Sequence, residues 1–168
     1  VNAEEAVLTL SETQGYVADE VYLEGTNITE YAGDCVYIRY ETHFGVYETL
    51  EEVCLDAGGN FSSDSFKIPA SYKGRHYIGI ALNETDAPSY KVPFMVKPKT
   101  AIAGLGDMGY VGDTVTIEGT GFARNETEIE LWYFTDSSNH VCFNVSAADA
   151  DGSWQKTFTV PASAKGDH

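Results

Sequence analysis

An internal repeat constrains the fold of this chain more than any other feature of its sequence. Residues 15–26 match residues 109–120 at eight of twelve positions, 94 residues apart. Residues 69–76 match residues 161–168 at six of eight positions, 92 residues apart. Two blocks in the same order and at nearly the same spacing indicate a tandem duplication, so we expect one small fold to occur twice.

Within each copy the apolar residues recur at every second position, which is the period of strands with one buried face. Val21 and Leu23 show this alternation in the first copy, and Val115 and Ile117 show it in the second. Gly-rich or Asp-Gly turns separate the runs, and helical spacing is not sustained in any stretch. About seven short strands per copy, with turns about every 8–12 residues, are typical of an antiparallel β-sandwich. We therefore predict an all-β chain.

A short segment rich in lysine, residues 96–100, joins the two copies. We predict two tandem β-sandwich domains, a first copy at residues 1–98 and a second copy at residues 99–168. After its second repeat block, the first copy continues through two apolar runs, residues 77–82 and residues 90–96. We expect these runs to form its last two strands.

The second copy stops at His168, the residue equivalent to His76, so we expect it to lack the counterparts of those two strands. An incomplete sandwich exposes core side chains and an unpaired strand edge. Two explanations stay open. Either the polypeptide continues beyond His168, which we favour, or a neighbouring subunit supplies the strands, as in donor-strand complementation.

Three motifs in the second copy are more specific than the strand pattern. They are G-x-V-G-D-x-V-x-I-x-G-T-G-F at residues 109–122, A-D-x-D-G-S-W at residues 148–154 and F-T-V-P-A-S-A-x-G-x-H at residues 158–168. In these motifs the second copy resembles the immunoglobulin-like IPT/TIG repeats of prokaryotic surface proteins, over nearly all of residues 101–168.

The first copy resembles the same family less closely, over residues 6–97. It has Asn27-Ile28 where the second copy has Gly121-Phe122, and a Gly-Gly turn replaces the Asp-Gly turn. For both copies the resemblance implies an immunoglobulin-like sandwich, the second without its last strands. It also implies the role of a stalk, adhesive repeat or lattice component in secreted or cell-wall proteins, which a fold alone does not establish.

The net charge of the chain limits the classes of partner that it can be expected to bind. It has 26 acidic and 10 basic residues, which give a formal net charge of −16. Because phosphate binding needs clustered Lys and Arg, we expect neither nucleic acid nor an anionic membrane as a partner. No apolar run approaches the roughly 18–20 residues that cross a bilayer, so we predict no membrane span in this segment.

Residues with catalytic chemistry are present but not in recognised catalytic patterns. His76 and His168 occupy equivalent repeat positions, which favours a role at the start of a strand. The sequence has no His-Glu-x-x-His motif, no Gly-x-Ser-x-Gly elbow and no phosphate-binding loop. We predict that the chain is not an enzyme.

Two acidic groups have a chemical interpretation that competes with a structural one. Asp149 and Asp151 are the candidate calcium ligands, because calcium prefers carboxylate oxygens, but an Asp-Gly hairpin turn is the favoured interpretation. Glu48, Glu51 and Glu52 have the residue type of a glycosidase acid–base pair, but a solvated acidic face is favoured. Calcium is thus the one cofactor candidate, and no cofactor is the prediction.

Hairpin geometry pairs two of the three cysteines. A turn at residues 43–46 places position 42 opposite position 47, and the same register places Cys35 opposite Cys54. Facing residues can meet the Cα spacing of roughly 5.5 Å that a disulfide needs. In the second copy, a turn centred on Ser137-Ser138 places Tyr133 opposite Cys142. The Cys142 thiol is then free, either as a small buried hydrophobe, which we favour, or as an intermolecular link.

Asparagine sequons are more frequent than composition predicts. Five of the seven asparagines lie in Asn-x-Ser/Thr, namely Asn27, Asn60, Asn83, Asn125 and Asn144, where about one is expected by chance. The excess predicts N-glycosylation of an exported protein, and an archaeal surface protein combines glycans, acidity and tandem repeats. We expect Asn27, Asn83 and Asn125 to be most exposed, whereas the glycan occupancy of Asn144 depends on which face of its strand it takes.

Together these features predict a structural or assembly segment of an extracellular cell-surface glycoprotein, such as an S-layer, sheath, stalk or surface filament. Its expected partners are copies of itself or neighbouring surface-protein domains. The alternative is an adhesin or a carbohydrate-binding module, with Tyr16, Tyr31, Tyr37 and Tyr47 as candidates for a sugar platform. Strand aromatics are more often core residues, and ordered assembly or glycan binding of the purified protein separates the two hypotheses.

Overall fold

The computed structural model describes residues 5–103 and 108–168. Within these ranges the regular elements are strands and one 3₁₀ turn, Thr29–Tyr31, which is too short to cross a membrane. The strands of the first copy are β1 Val7–Leu10, β2 Gln14–Gly15, β3 Glu20–Val21, β4 Leu23–Thr26, β5 Cys35–His43, β6 Val46–Cys54, β7 Phe61–Ser62, β8 Phe66–Lys67, β9 Gly74–Ala81 and β10 Tyr90–Val96. Those of the second copy are β11 Lys99–Ala103, β12 Thr114–Thr120, β13 Glu130–Phe134, β14 His140–Asn144 and β15 Trp154–Thr159. The predicted all-β class is confirmed.

Hydrogen bonding arranges the strands into several sheets. The first copy has a five-stranded sheet of order β2-β10-β9-β5-β6, a three-stranded sheet β1-β4-β7 and a short pair β3-β8. The second copy has a three-stranded sheet β11-β12-β15 and a pair β13-β14. Each pairing within the described ranges joins strands of the same copy, and only β2 with β10 is parallel. The two apolar runs predicted to be the last strands of the first copy form β9 and β10, which pair with each other.

The apolar core is closed in the first copy and much smaller in the second. Both main sheets of the first copy contribute side chains to one buried cluster of sixteen residues. These are Leu10, Val21, Leu23, Ile28, Tyr31, Val36, Ile38, Tyr40, Leu55, Phe61, Phe66, Ile68, Ile78, Ile80, Phe94 and Val96. The buried cluster of the second copy has four, Ile129, Val145, Ala148 and Trp154. The two copies therefore contain similar strands, but the apolar core of the second copy is less completely enclosed than that of the first.

The disulfide prediction is confirmed, although the hairpin that carries it is less regular than expected. Cys35 and Cys54 face each other at the ends of β5 and β6 and are bonded. Two register shifts interrupt the ladder, so Tyr47 faces Glu41 rather than position 42. The two irregularities compensate, because His43 faces Val46 again. The register at the cysteines is thus the predicted one, with an intervening segment offset by one residue.

The predicted register of the second-copy hairpin is wrong by one residue. Cys142 faces Trp132, and Tyr133 faces Val141. The reason is a five-residue loop, residues 135–139. Within it Asp136 Oδ1 accepts the backbone N–H groups of Ser138 and Asn139, at 2.8 and 2.9 Å. Cys142 is a free thiol, as predicted, but it is exposed, so the favoured interpretation of a buried hydrophobe is also wrong.

The turn at Asn27-Ile28 and the equivalent turn at Gly121-Phe122 have the same backbone geometry although their residues differ. Asn27 has φ +57° where Gly121 has φ +67°, a left-handed conformation that asparagine and glycine adopt more readily than other residues. The following residues, Ile28 and Phe122, each donate their N–H to the carbonyl of the turn glycine at 2.9 Å. The Asn27-Ile28 departure from the repeat motif is therefore a change of residue without a change of backbone.

Candidate functional site

A cluster of tyrosine, serine and histidine is buried beneath the second repeat block of the first copy. Tyr40 Oη and Ser71 Oγ are 2.7 Å apart, and the Tyr40 ring stacks on the His76 ring with centroids 5.6 Å apart. His76 Nδ1 lies 2.8 Å from the Glu41 carbonyl oxygen, and Nε2 lies 2.7 Å from the Tyr72 carbonyl oxygen. Each ring nitrogen thus faces a group that only accepts hydrogen bonds. His76 connects β9 to β5 and to the preceding turn.

The second copy contains the same cluster. Tyr133 Oη and Ser163 Oγ are 3.0 Å apart, and the Tyr133 and His168 rings stack with centroids 5.4 Å apart. His168 Nδ1 lies 2.8 Å from the Phe134 carbonyl oxygen, and Nε2 contacts the Ala164 carbonyl oxygen. The shared serine and histidine were visible in the repeat block, but the tyrosine was missed. Its signal was the recurrence of a strand tyrosine 93 residues apart.

The environment of Tyr40 predicts a loss of stability in alkali. Burial raises the pKa of Tyr40 above its ordinary value of 10.0. In the unfolded chain the phenol ionises near pH 10, whereas the folded chain keeps it protonated, so stability is lost as pH rises above about 10. We expect urea unfolding at pH 9 to 11 to show a smaller loss for Tyr40→Phe than for the native chain. Equal losses in the two proteins would contradict this assignment.

The candidate calcium ligands lie in a turn that both copies share. In each turn an aspartate Oδ1 accepts the N–H groups of the residues two and four positions later, at 2.8 and 2.9 Å for Asp56 and at 2.9 Å twice for Asp149. Hydrogen bonds from Asn60 lower the pKa of Asp56. Within residues 5–103 and 108–168, no three His, Cys, Asp or Glu side chains converge as a metal site. The geometry of Asp149 is that of the favoured Asp-Gly turn.

The candidate ligand Asp151 contributes to a junction between the copies. Asp151 Oδ1 lies 3.3 Å from His43 Nε2, and the same nitrogen lies 3.2 Å from the Ala150 carbonyl oxygen. Lys73 donates its backbone N–H to the Phe122 carbonyl oxygen at 2.8 Å. Sequence reasoning missed this role of His43, because a contact across 107 residues leaves no local signal.

The five sequon asparagines have different surroundings. Asn83, Asn125 and Asn144 are exposed, whereas Asn27 and Asn60 are partly buried. The Asn60 side chain is engaged in the turn, since its amide donates to both oxygens of Asp56 at 3.1 Å and its Oδ1 accepts the Asn27 N–H at 3.1 Å. The expectation that Asn27 is among the most exposed is therefore wrong. Asn144 takes the outward face of β14.

The other candidate groups do not combine into a site. Tyr31 is 4% exposed and belongs to the first-copy core, so the four tyrosines proposed for a sugar platform are not one surface. Of the three glutamates on β6, Glu48 and Glu52 are exposed, and Glu51 accepts the Asp64 N–H at 3.2 Å. A solvated acidic strand is thus the arrangement observed.

An open groove lies on the second copy, with a volume of about 470 Å³. It runs between the β12–β15 side and the β13–β14 hairpin. Its apolar and aromatic lining includes Ile117, Leu131, Trp132, Tyr133, Phe158 and His168. Trp132 is 49% exposed. The groove is an apolar concave surface that the second copy offers to a ligand or partner, and sequence patterning predicted it only as an incomplete sandwich.

Comparison with protein-family models finds no match, and comparison with curated proteins finds none either. Among solved structures, the chain is similar to one described as "Crystal structure of tetra-tandem repeat in extending region of large adhesion protein". The two share 17% sequence identity with a TM-score of 0.47 over 94% of this chain. The match spans 41% of the length of that chain.

Proposed function

We propose that this chain is a structural or assembly segment of an exported cell-surface protein, of the kind that builds S-layers, sheaths, stalks or surface filaments. The observation that carries the proposal is the repetition of one set of packing contacts. Tyr40 and His76 in the first copy, and Tyr133 and His168 in the second, are used to hold strands together. Tandem modules with shared structural contacts are the building units of extended repeat proteins.

Contacts between the copies support a structural role. The His43–Asp151 and Lys73–Phe122 contacts connect the two copies beyond the short linker. At Gly121 a Cβ atom would lie 2.5 Å from the Lys97 carbonyl oxygen, so glycine permits a close approach of the linker. A linker packed in this way restricts the hinge motion that a free linker allows.

The Cys35–Cys54 disulfide supports an extracellular location. Disulfides persist in oxidising compartments and are rare where glutathione keeps thiols reduced. The bond joins neighbouring strands of the first copy. A net charge of −16 fits an acidic surface that is kept soluble by self-repulsion.

We further propose that both copies are immunoglobulin-like sandwiches of the IPT/TIG kind. The support is that the shared motifs fall on equivalent elements, with the turns that end in Asp19 and Asp113 before β3 and β12, and the turns that contain Gly59 and Gly152 before β7 and β15. In each copy the aspartate of the first motif accepts a backbone N–H three residues earlier, at 2.9 Å for Asp19 and 2.7 Å for Asp113. Export and archaeal origin stay part of this proposal.

The exposed sequons lead to a prediction about the native protein. We expect glycans on Asn83, Asn125 and Asn144, because these side chains are accessible to a transferase. We expect none on Asn60, which is partly buried and whose side chain bonds both Asp56 and the Asn27 N–H, whereas the Asn83 amide donates to the exposed Asp86 on an open surface. Mass spectrometry of peptides from protein purified from its own cells measures the occupancy. Unmodified asparagine at all three exposed sites would contradict the glycoprotein proposal, with Asn60 as the internal control.

The location is tested by immunogold electron microscopy with antibodies against residues 1–168. We expect label on the outside of intact cells, in a pattern that follows an envelope layer or filament. An antibody against a cytoplasmic protein serves as the control for cell integrity. Label that appears only after permeabilisation would overturn the proposal. Saturable binding of the purified chain to a glycan array, without assembly, would favour the recognition hypothesis instead.

A further inference from the structure

The groove of the second copy lies where the first copy has two additional strands. In the first copy, β9 pairs antiparallel with β5, and β10 pairs antiparallel with β9 and parallel with β2. The repeat makes β13 the counterpart of β5 and residues 108–109 the counterpart of β2. Among the described strands, β13 pairs only with β14, so its other edge has no strand partner. One sheet is thus complete in the first copy and open in the second.

The side chains around this edge differ in burial although they are equivalent in sequence. Ile38 and Tyr40 of β5 are both 0% exposed. Their counterparts Leu131 and Tyr133 of β13 are only partly buried and line the groove. His168 is exposed, whereas the equivalent histidine of the first copy is 1% exposed. The groove therefore exposes side chains whose equivalents in the first copy are buried in the core beneath β9 and β10.

The strands that cover this surface in the first copy have a defined chemistry. Ile80 faces Ile38, and Ile78 faces Tyr40, across the β5–β9 ladder. Phe94 of β10 completes the layer, and all of these side chains are 0% exposed. The cover is thus a β-hairpin with apolar residues at alternate positions, which also satisfies the edge of β5 by backbone hydrogen bonds.

We propose that the groove of the second copy is an acceptor site for an apolar β-hairpin. Its first strand pairs antiparallel with β13 and places two alternate aliphatic side chains against Leu131 and Tyr133. Its second strand brings an aromatic residue over the groove and reaches the backbone of residues 108–109. Addition of strands to a free sheet edge gives affinity through main-chain bonds and specificity through alternate side chains.

The occupant is a hairpin additional to the strands described, rather than the β9–β10 hairpin of a second molecule. Ile78, Ile80 and Phe94 are fully buried in their own copy. A second molecule would have to open its closed core to donate them, at a cost of several buried side chains. The inference does not depend on where the protein acts in the cell, so it stands or fails separately from the surface proposal.

The test adds the missing hairpin to residues 1–168 in two ways. A synthetic peptide of residues 74–97 is titrated into the chain by calorimetry, and the segment 77–97 is grafted after His168 in a second protein. We expect saturable 1:1 binding of the peptide, and a graft that resists proteolysis and raises the midpoint of thermal unfolding by about 10 °C. The matched control carries Ile78→Asp and Ile80→Asp in the added hairpin, and we expect about a hundredfold weaker binding and no thermal shift.

Two results would overturn the proposal. The first is a graft that is digested as readily as its aspartate control and leaves the unfolding midpoint unchanged. The second is sedimentation of residues 1–168 as a dimer that the added hairpin does not dissociate, since that result assigns the groove to a second copy. A monomer that binds the native peptide and rejects the aspartate peptide supports it.

Discussion

Replacing Phe94 with alanine is expected to destabilise the first copy by about 3–5 kcal/mol, the range for a fully buried aromatic side chain. Phe94 is 0% exposed, and its ring lies 3.2 Å from the position that a Cβ atom of Gly15 would occupy. The substitution leaves a cavity between β10 and β2 that the backbone cannot close. Urea unfolding followed by circular dichroism measures the loss.

The matched control for this substitution is Phe134→Ala. Phe134 lies in the second copy and is 49% exposed, so its removal is expected to change stability by less than about 1 kcal/mol. Equal losses for Phe94 and Phe134 would contradict the claim that the first copy is closed and the second is open.

Removing the disulfide is expected to cost about 3 kcal/mol, because the bond closes a loop of about 20 residues in the unfolded chain. The test compares the native chain with the double variant Cys35→Ala and Cys54→Ala by thermal unfolding. Cys142→Ala is the control, since that exposed thiol has no covalent partner in the described chain. A double variant as stable as the control would show that the bond constrains little. Peptide mapping that joins Cys142 to either other cysteine would contradict the pairing itself.

Patterns that recur within the chain could be predicted from the sequence. Strand periodicity located β9 within three residues and β10 at its observed bounds, and the duplicated block marks only the segment that leads into β9. The Cys35–Cys54 pairing was also predictable, although for a reason only partly correct. The register shifts along β5 and β6 cancel before they reach the cysteines. Local periodicity therefore predicted strand identity better than strand register.

Hairpin register and side-chain direction that depend on one residue of a loop could not be predicted from strand periodicity. The loop of the β13–β14 hairpin has five residues because Asp136 accepts two backbone N–H groups within it, which displaces the partner of Cys142 by one position. Tyr31 is a candidate for a surface platform in the sequence, but in the structure a 3₁₀ turn directs it into the core, where its ring packs edge-on against that of Tyr90 with centroids 5.9 Å apart. Neither the hydrogen bonds of Asp136 nor the burial of Tyr31 changes the hydrophobic pattern of the sequence.

Contacts between distant segments were beyond reach for a different reason. The Tyr40–Ser71 hydrogen bond joins residues 31 positions apart, and the His43–Asp151 contact joins the two copies. A single sequence records which residues are present but not which distant residues meet. The repeat nevertheless carried part of this information, because Ser71 and His76 return as Ser163 and His168.

Hydrogen exchange of residues 1–168, read by mass spectrometry at the level of single strands, tests the central claim that the second copy is open where the first is closed. Strand β5 has partners on both edges, and β13 has one partner among the described strands. We predict that the β13 amides not bonded to β14 exchange at least about tenfold faster than the central amides of β5. Protection of β13 equal to that of β5 in the monomer would contradict the account.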